Sequence, residues 1–129
     1  MDSRRQHWML AAGAMNGLLA VALGAFAAHG LREITDEAHQ RVFETAVQYH
    51  AWHALALLAT GLAAERFGGR WLVAAGWLFL GGILLFSGSL YMLTLGGPRW
   101  LGPVTPLGGG AFLAGWAALT IGLRRKGSR

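Results

Sequence analysis

The chain has 129 residues, of which 54% are hydrophobic and 13% charged, with a formal net charge of +5. That charged fraction is about half the usual one for a soluble domain, and a soluble fold this small could not bury so much apolar surface. The absence of cysteine excludes a disulfide, a thiol nucleophile and a thiolate metal site. The basic residues sit at the ends of apolar runs rather than in one patch, which argues against a nucleic-acid partner.

The first apolar run, Trp8–Ala28, has no charged side chain and at helical rise reaches about 32 Å, close to the hydrocarbon thickness of a bilayer. It is longer than the apolar core of a signal peptide, so it is expected to remain as a span although Arg4-Arg5 precedes it and Ala25-Phe26-Ala27 resembles a cleavage site. Ala46–Ala64 is a second run, Trp71–Leu95 a third and Pro106–Leu123 a fourth. None alternates with period two, so all four read as helices. Thr35, Asp36 and Glu37 form a helix-start signal with acidic residues in the first turn. It places the start of the second helix near Asp36, outside the bilayer. Gly30 and Gly96 are expected helix caps, and Thr105-Pro106 pairs an N-cap residue with an N1 proline. The expected architecture is an all-α integral membrane protein: one four-helix transmembrane domain over residues 1–129, with spans at about 8–29, 43–64, 71–95 and 106–123.

The N-terminus, the middle loop and the C-terminal tail hold eight Lys or Arg residues: Arg4, Arg5, Arg66, Arg70, Arg124, Arg125, Lys126 and Arg129. The other two loops hold three: Arg32, Arg41 and Arg99. The positive-inside rule then puts both termini in the cytoplasm.

Small residues let helix backbones approach closely in lipid. In the first span Gly13, Gly17, Ala20, Gly24 and Ala27 form one narrow stripe, with Asn16 beside it as an expected interhelical hydrogen bond near the bilayer centre. In the second span His50 and His53 share a face with Ala46, Ala54, Leu57 and Gly61, whereas Trp52, Leu55, Leu58 and Leu62 mostly take the other side. Both histidines therefore face the bundle. Ser87, Ser89 and Tyr91 of the third span and His29 after the first lie at the same depth. The expected site is a polar pocket in the outer half of the bundle, made by His29, Tyr49, His50, His53, Ser87, Ser89 and Tyr91. His53 in particular is expected to face the first and third helices, bonded to the Ser87–Tyr91 segment or to the end of the first helix.

The pocket admits several chemistries. Histidines at i,i+3 suit a metal, with His29 as third ligand, but ideal phase turns His29 away from the stripe, and no HExxH motif or intramembrane carboxylate accompanies them. A transporter would show broken helices or internal repeats, and neither is present. A hydrolase built on Ser87 or Ser89 with His53 would need a nucleophile elbow and a third orienting group, and both are missing. The residues favour mutual hydrogen bonding of His50, His53, Ser87 and Tyr91 across the second and third helices, with no metal or cofactor.

Four ordered motifs also carry a resemblance. They are GAFAAHGL at residues 24–31, TAVQYHAWHALAL at 45–57, FSGSLY at 86–91, and TPLGG at 105–109 followed by FLAGW at 112–116. Together they resemble the YgdD/YwdK-like family of small inner-membrane proteins, a family of unknown function with animal mitochondrial relatives, over nearly the whole chain. The resemblance implies a bacterial plasma-membrane protein of four helices with no assigned activity, and it carries over no catalytic residue. It marks His29, Tyr49, His53, Ser87, Gly88, Ser89, Tyr91, Thr105 and Pro106 as motif positions. In the family pattern the position of His50 also takes glutamine, which weakens a two-histidine metal site, and Ala27 stands where glycine is frequent.

The function expected is therefore accessory or structural: a lipid, a small hydrophobic molecule or a membrane partner bound at the outer-half pocket, with the bilayer as environment and homo-oligomerisation compatible. A membrane enzyme or a metal or haem protein using His29, His50 and His53 is the alternative, and a small transporter or channel the third.

Overall fold

The computed structural model describes residues 7–127, with side chains described as far as Arg125. Arg4, Arg5 and Arg129, which enter the Lys/Arg count, lie outside the described residues. Helix α1 spans His7–Ala28 and is followed by a 3-10 turn at Leu31–Glu33; α2 spans Glu37–Phe67 and α3 Arg70–Gly82. A π-helical turn, Ile83–Ser87, joins α3 to α4 (Gly88–Thr94), and a 3-10 turn at Arg99–Leu101 precedes α5 (Val104–Gly127). The described residues contain no strand.

The ends of these helices follow from local chemistry. Asp36 caps α2, its carboxylate accepting from the His39 backbone N–H at 2.9 Å, and that bond holds the carboxyl below the usual carboxylate range. The turn from α2 to α3 needs two glycines, because Gly68 and Gly69 take φ of 67° and 99°. Gly96 ends α4 with φ of 96°, as expected of a helix cap. Gly30 does not cap α1 that way: at φ −68° it stays right-handed and leads into the 3-10 turn. Nor does Thr105 cap the last helix. α5 begins at Val104, and the Thr105 hydroxyl bonds Ser89 instead.

By length and composition three helical stretches could cross a membrane: His7–Glu33, Arg70–Thr94 and Arg99–Arg125. α2, although 31 residues long, is not among them. Its middle carries Gln48, Tyr49, His50 and His53, which dilute the apolar character that the other three keep. Composition therefore supports three of the four expected spans.

Two interlocked pairs make the bundle. Along α1 and α2, Leu10 lies over Gly61, Gly13 meets Leu58 and the Ala54 carbonyl, and Val47 meets Gly24. Leu58 thus belongs to this interface and not to the outer side. Along α3 and α5 the register is as regular. Gly108, Gly115 and Gly122, at i, i+7 and i+14, receive Phe86, Phe79 and Leu72, while Phe112 returns to Gly82. This is small-against-large packing in antiparallel heptads. Met9 against Gly76, and Trp8 stacked on Trp77 at 4.3 Å, tie α1 to α3. The expected stripe on α1 is used only in part. Gly13, Ala20 and Ala27 are buried, whereas a side chain at Gly17 would meet nothing within 4 Å.

One end of the bundle is marked by the His7–Glu65 pair at 2.6 Å and by Arg70 and Arg125, both within 6 Å of the Trp71 ring centroid. The Leu31–Asp36 and Gly96–Pro103 connections lie at the other. Leu18, Val21, Leu55, Leu84 and Leu113 stand exposed around the outside, as expected of a surface whose solvent is lipid.

Candidate functional site

The expected polar pocket resolves into two separate regions. In the first, His50 is buried between α1 and α4. Its Nε2 lies 2.9 Å from Asn16 Oδ1 and its Nδ1 2.8 Å from the Tyr91 hydroxyl. Asn16 Nδ2 donates to the Ala12 carbonyl at 2.8 Å, which orients the amide oxygen towards His50. The imidazole therefore donates from Nε2 and accepts the tyrosine proton at Nδ1. Asn16 is the interhelical bond expected of it. Nearby, Ser87 donates to the Ala46 carbonyl at 2.8 Å and so pins the π turn to α2. Ser89 donates to the Phe86 carbonyl and also pairs with Thr105.

His53 meets the third helix as expected, its ring 5.7 Å from that of Phe79 on α3, but its other neighbours differ. It faces α5, not α1, and bonds no residue of the Ser87–Tyr91 segment. Its Nδ1 is 2.7 Å from the Tyr49 carbonyl of its own helix, and its Nε2 accepts from Trp116 Nε1 at 3.1 Å. A carbonyl can only accept and an indole N–H only donate, so the proton of His53 is on Nδ1, the opposite tautomer to His50. The ring lies flat on Phe112, with centroids 3.6 Å apart and planes 9° apart. The mutual bonding expected of His50, His53, Ser87 and Tyr91 thus holds for His50 with Tyr91. Ser87 instead reaches a backbone carbonyl across the helix pair, and His53 joins α5.

His29 is not part of either region. Its side chain is exposed after the end of α1 and has no partner among the described residues. The trio of His29, His50 and His53 is therefore not assembled, and no cluster of three or more His, Cys, Asp or Glu suited to a metal is found among the described residues.

The second region is an apolar groove of about 640 Å³ between α2 and α5, lined by Tyr49, Trp52, His53, Phe86, Pro106, Gly109, Gly110, Phe112, Leu113 and Trp116. Its floor is aromatic: Tyr49 packs on Phe86 at 4.9 Å and Phe86 on Phe112 at 5.5 Å. Its width comes from glycine. A methyl at Gly110 would meet nothing within 4 Å, and one at Gly109 only the Phe86 ring at 3.9 Å. The Tyr49 hydroxyl makes no hydrogen bond among the described residues.

Of the groove-lining residues, the polar-residue reading anticipated Tyr49 and His53. It missed Trp52, Phe86, Pro106, Phe112 and Trp116 as site residues, because a search for polar atoms in an apolar run passes over aromatic rings. The signal was the i,i+4 pair Phe112 and Trp116 following the Gly108-Gly109-Gly110 run.

Comparison with known proteins adds a family. The sequence profile of the family described as "Protein of unknown function (DUF423)" matches residues 23–109. The chain is 47% identical over 110 residues to the UPF0382 membrane protein YwdK of Bacillus subtilis, covering 84% of this chain and 89% of that one. It is 43% identical over 111 residues to a UPF0382 membrane protein of Staphylococcus epidermidis, covering 84% and 88%. It is 41% identical over 123 residues to the UPF0382 inner membrane protein YgdD of Escherichia coli, covering 93% and 94%. No solved structure matches.

Proposed function

The chain belongs to the DUF423 family, and from that membership we propose that it is a four-span protein of the bacterial inner membrane, with both termini cytoplasmic, that holds a lipid or small hydrophobic molecule in the groove between α2 and α5. The role is accessory or structural rather than catalytic. Its aromatic rings and single histidine supply contact surface, and both nitrogens of His53 are already engaged by protein groups.

Support for four spans comes from how α2 sits. Glu65 near its C-terminal end meets His7 at the start of α1, and Val47 in its outer half meets Gly24 near the end of α1. α2 therefore runs the length of a helix that is apolar enough to cross, and it carries its histidines inward where protein groups satisfy them. The 8-to-3 distribution of Lys and Arg supports the orientation. A reporter enzyme active only outside the cytoplasm, fused after Arg129, should stay silent; activity there would overturn the orientation.

The observation that carries the binding reading is the groove itself. It falls in the size range of small-molecule sites, is mainly apolar, and opens on the side of the molecule that faces lipid. Gly110→Phe tests it, because the new ring would enter the groove without meeting the backbone. Native mass spectrometry of the detergent-solubilised wild type should show a retained hydrophobic molecule, and Gly110→Phe of unchanged helicity should have lost it. Equal retention by the two proteins would overturn the reading.

A further inference from the structure

Resting on the groove as a lipid site, we propose that its occupant is one acyl chain of a glycerolipid from the leaflet opposite the termini. The chain's ester carbonyl would accept from the Tyr49 hydroxyl, and its methyl end would lie against Trp116.

Length fixes the leaflet. Along α5 the lining runs from Pro106 to Trp116, ten residue steps and so about 15 Å at helical rise, or half of a hydrocarbon core of about 30 Å. The groove thus spans the depth of one leaflet, starting beside the Gly96–Pro103 connection and ending near the bilayer centre. A ligand crossing both leaflets would run out of groove, and a headgroup-sized solute would leave its deep half empty.

Polarity fixes which end is which. At the deep end the Trp116 N–H and His53 Nε2 satisfy each other, and the second ring nitrogen of His53 is bound to the Tyr49 carbonyl. Nothing there asks for a polar ligand atom, and Phe112 and Leu113 suit hydrocarbon. One helical turn outward of His53, on the α2 wall of the groove, the Tyr49 hydroxyl is a donor without a partner among the described residues. A half-buried hydroxyl in lipid is costly unless paired, and the acceptor that a lipid tail drawn into the groove brings with it is the ester carbonyl at its head. The rim is continuous with the lipid-contacting surface: Trp52 and Leu113 are 51% and 75% exposed, so a tail enters sideways from the bilayer without crossing water. Gly109 and Gly110 leave the α5 wall of the groove without side chains, which makes room for a hydrocarbon chain.

The experiment pits ester-linked against ether-linked phosphatidylcholine of the same chain length. Both are offered in equal amounts to the protein in detergent, and the bound ratio is read by native mass spectrometry. Wild type should favour the ester by roughly 2–10-fold, the span of one net hydrogen bond. Tyr49→Phe should bind both lipids alike while keeping total binding. Gly110→Phe should bind neither, with Gly110→Leu as a second occluding variant and circular dichroism reporting the fold. A wild type indifferent to the linkage overturns the carbonyl assignment alone, provided Gly110→Phe still abolishes binding. An ester preference that survives in Tyr49→Phe overturns the role of Tyr49. Undiminished binding in folded Gly110→Phe and Gly110→Leu overturns the groove reading, and this inference with it.

Discussion

His50 and His53 are three residues apart on α2, equally buried at 3% exposure, yet the regions around them are built on different rules. The His50 side is closed and polar. Asn16, His50 and Tyr91 from three helices spend their hydrogen-bonding groups on one another, with the Ala12 carbonyl terminating the chain. The His53 side is open and aromatic. One ring nitrogen is held by its own helix, the other meets a half-exposed tryptophan, and the rest of the wall is hydrocarbon surface beside a groove. Buried polar groups in a membrane can thus serve to lock helices together or to stiffen the wall of a cavity. Which of the two applies depends on what the partner helices bring, not on the histidine.

Backbone approach shows the same contrast most strongly. Gly108 and Gly110 are two residues apart on α5. A side chain at Gly108 would overlap the backbone nitrogen and Cα of Phe86, which cannot swing aside as a side chain can. Gly108→Val should therefore force α5 off α3 and cost at least about 3 kcal/mol, the scale of severe overpacking, or prevent folding. Denaturation of the purified protein in mixed micelles measures this. Gly110→Val should be nearly neutral in the same assay. Equal costs would mean that the groove is not open at Gly110.

The two histidines themselves come next. His50→Leu strands two groups at once, the buried Asn16 amide oxygen and the half-buried Tyr91 hydroxyl, and should cost about 2–3 kcal/mol. His53→Leu strands only the Trp116 N–H, at the edge of a groove, and should cost about 1 kcal/mol. If the order reverses, the closed and open regions have been assigned the wrong way round. Double-mutant cycles sharpen the point: His50 with Asn16 should couple, and His50 with Trp116 should not.

Much of the architecture was legible in the sequence, for identifiable reasons. Four long helices with Asp36 at the start of the second follow from charge-free runs and one capping residue. The inward aim of Asn16, His50 and His53 follows from their phase relative to small neighbours. What phase alone could not settle is which neighbour each would meet. Residues at i and i+3 point about 60° apart on a helix, enough to send His50 towards α1 and α4 and His53 towards α5 once the bundle is assembled. The π turn at Ile83–Ser87 adds a second obstacle. It holds an i→i+5 bond from Gly88 N–H to the Ile83 carbonyl, shifting the phase of everything after it. The faces of Ser89 and Tyr91 could therefore not be read by counting from Trp71. The Gly108, Gly115 and Gly122 heptad was visible in the chain, but glycine in an apolar run has many roles until the partner Phe86, Phe79 and Leu72 series is placed opposite.

The smallest effect belongs to Gly17, and it separates a sequence pattern from a packing contact. Gly13 and Gly17 form a GxxxG match, the spacing by which two helix backbones often approach in lipid. In the structure only Gly13 makes that approach. A methyl there would lie 2.8 Å from Leu58 Cγ and 2.9 Å from the Leu58 backbone nitrogen, whereas at Gly17 it would touch nothing within 4 Å. Leu58 cannot retreat, since its own backbone is part of the clash, so Gly13→Ala should cost about 1–2 kcal/mol through separation of α1 from α2. Gly17→Ala keeps every contact and gains helix propensity, so its effect should stay within about 0.5 kcal/mol of zero and lean towards stabilisation. Parallel unfolding of the two variants in the same micelle decides the matter. Comparable destabilisation would show that the whole motif carries the α1–α2 contact, with the backbones in close approach at Gly17 as well.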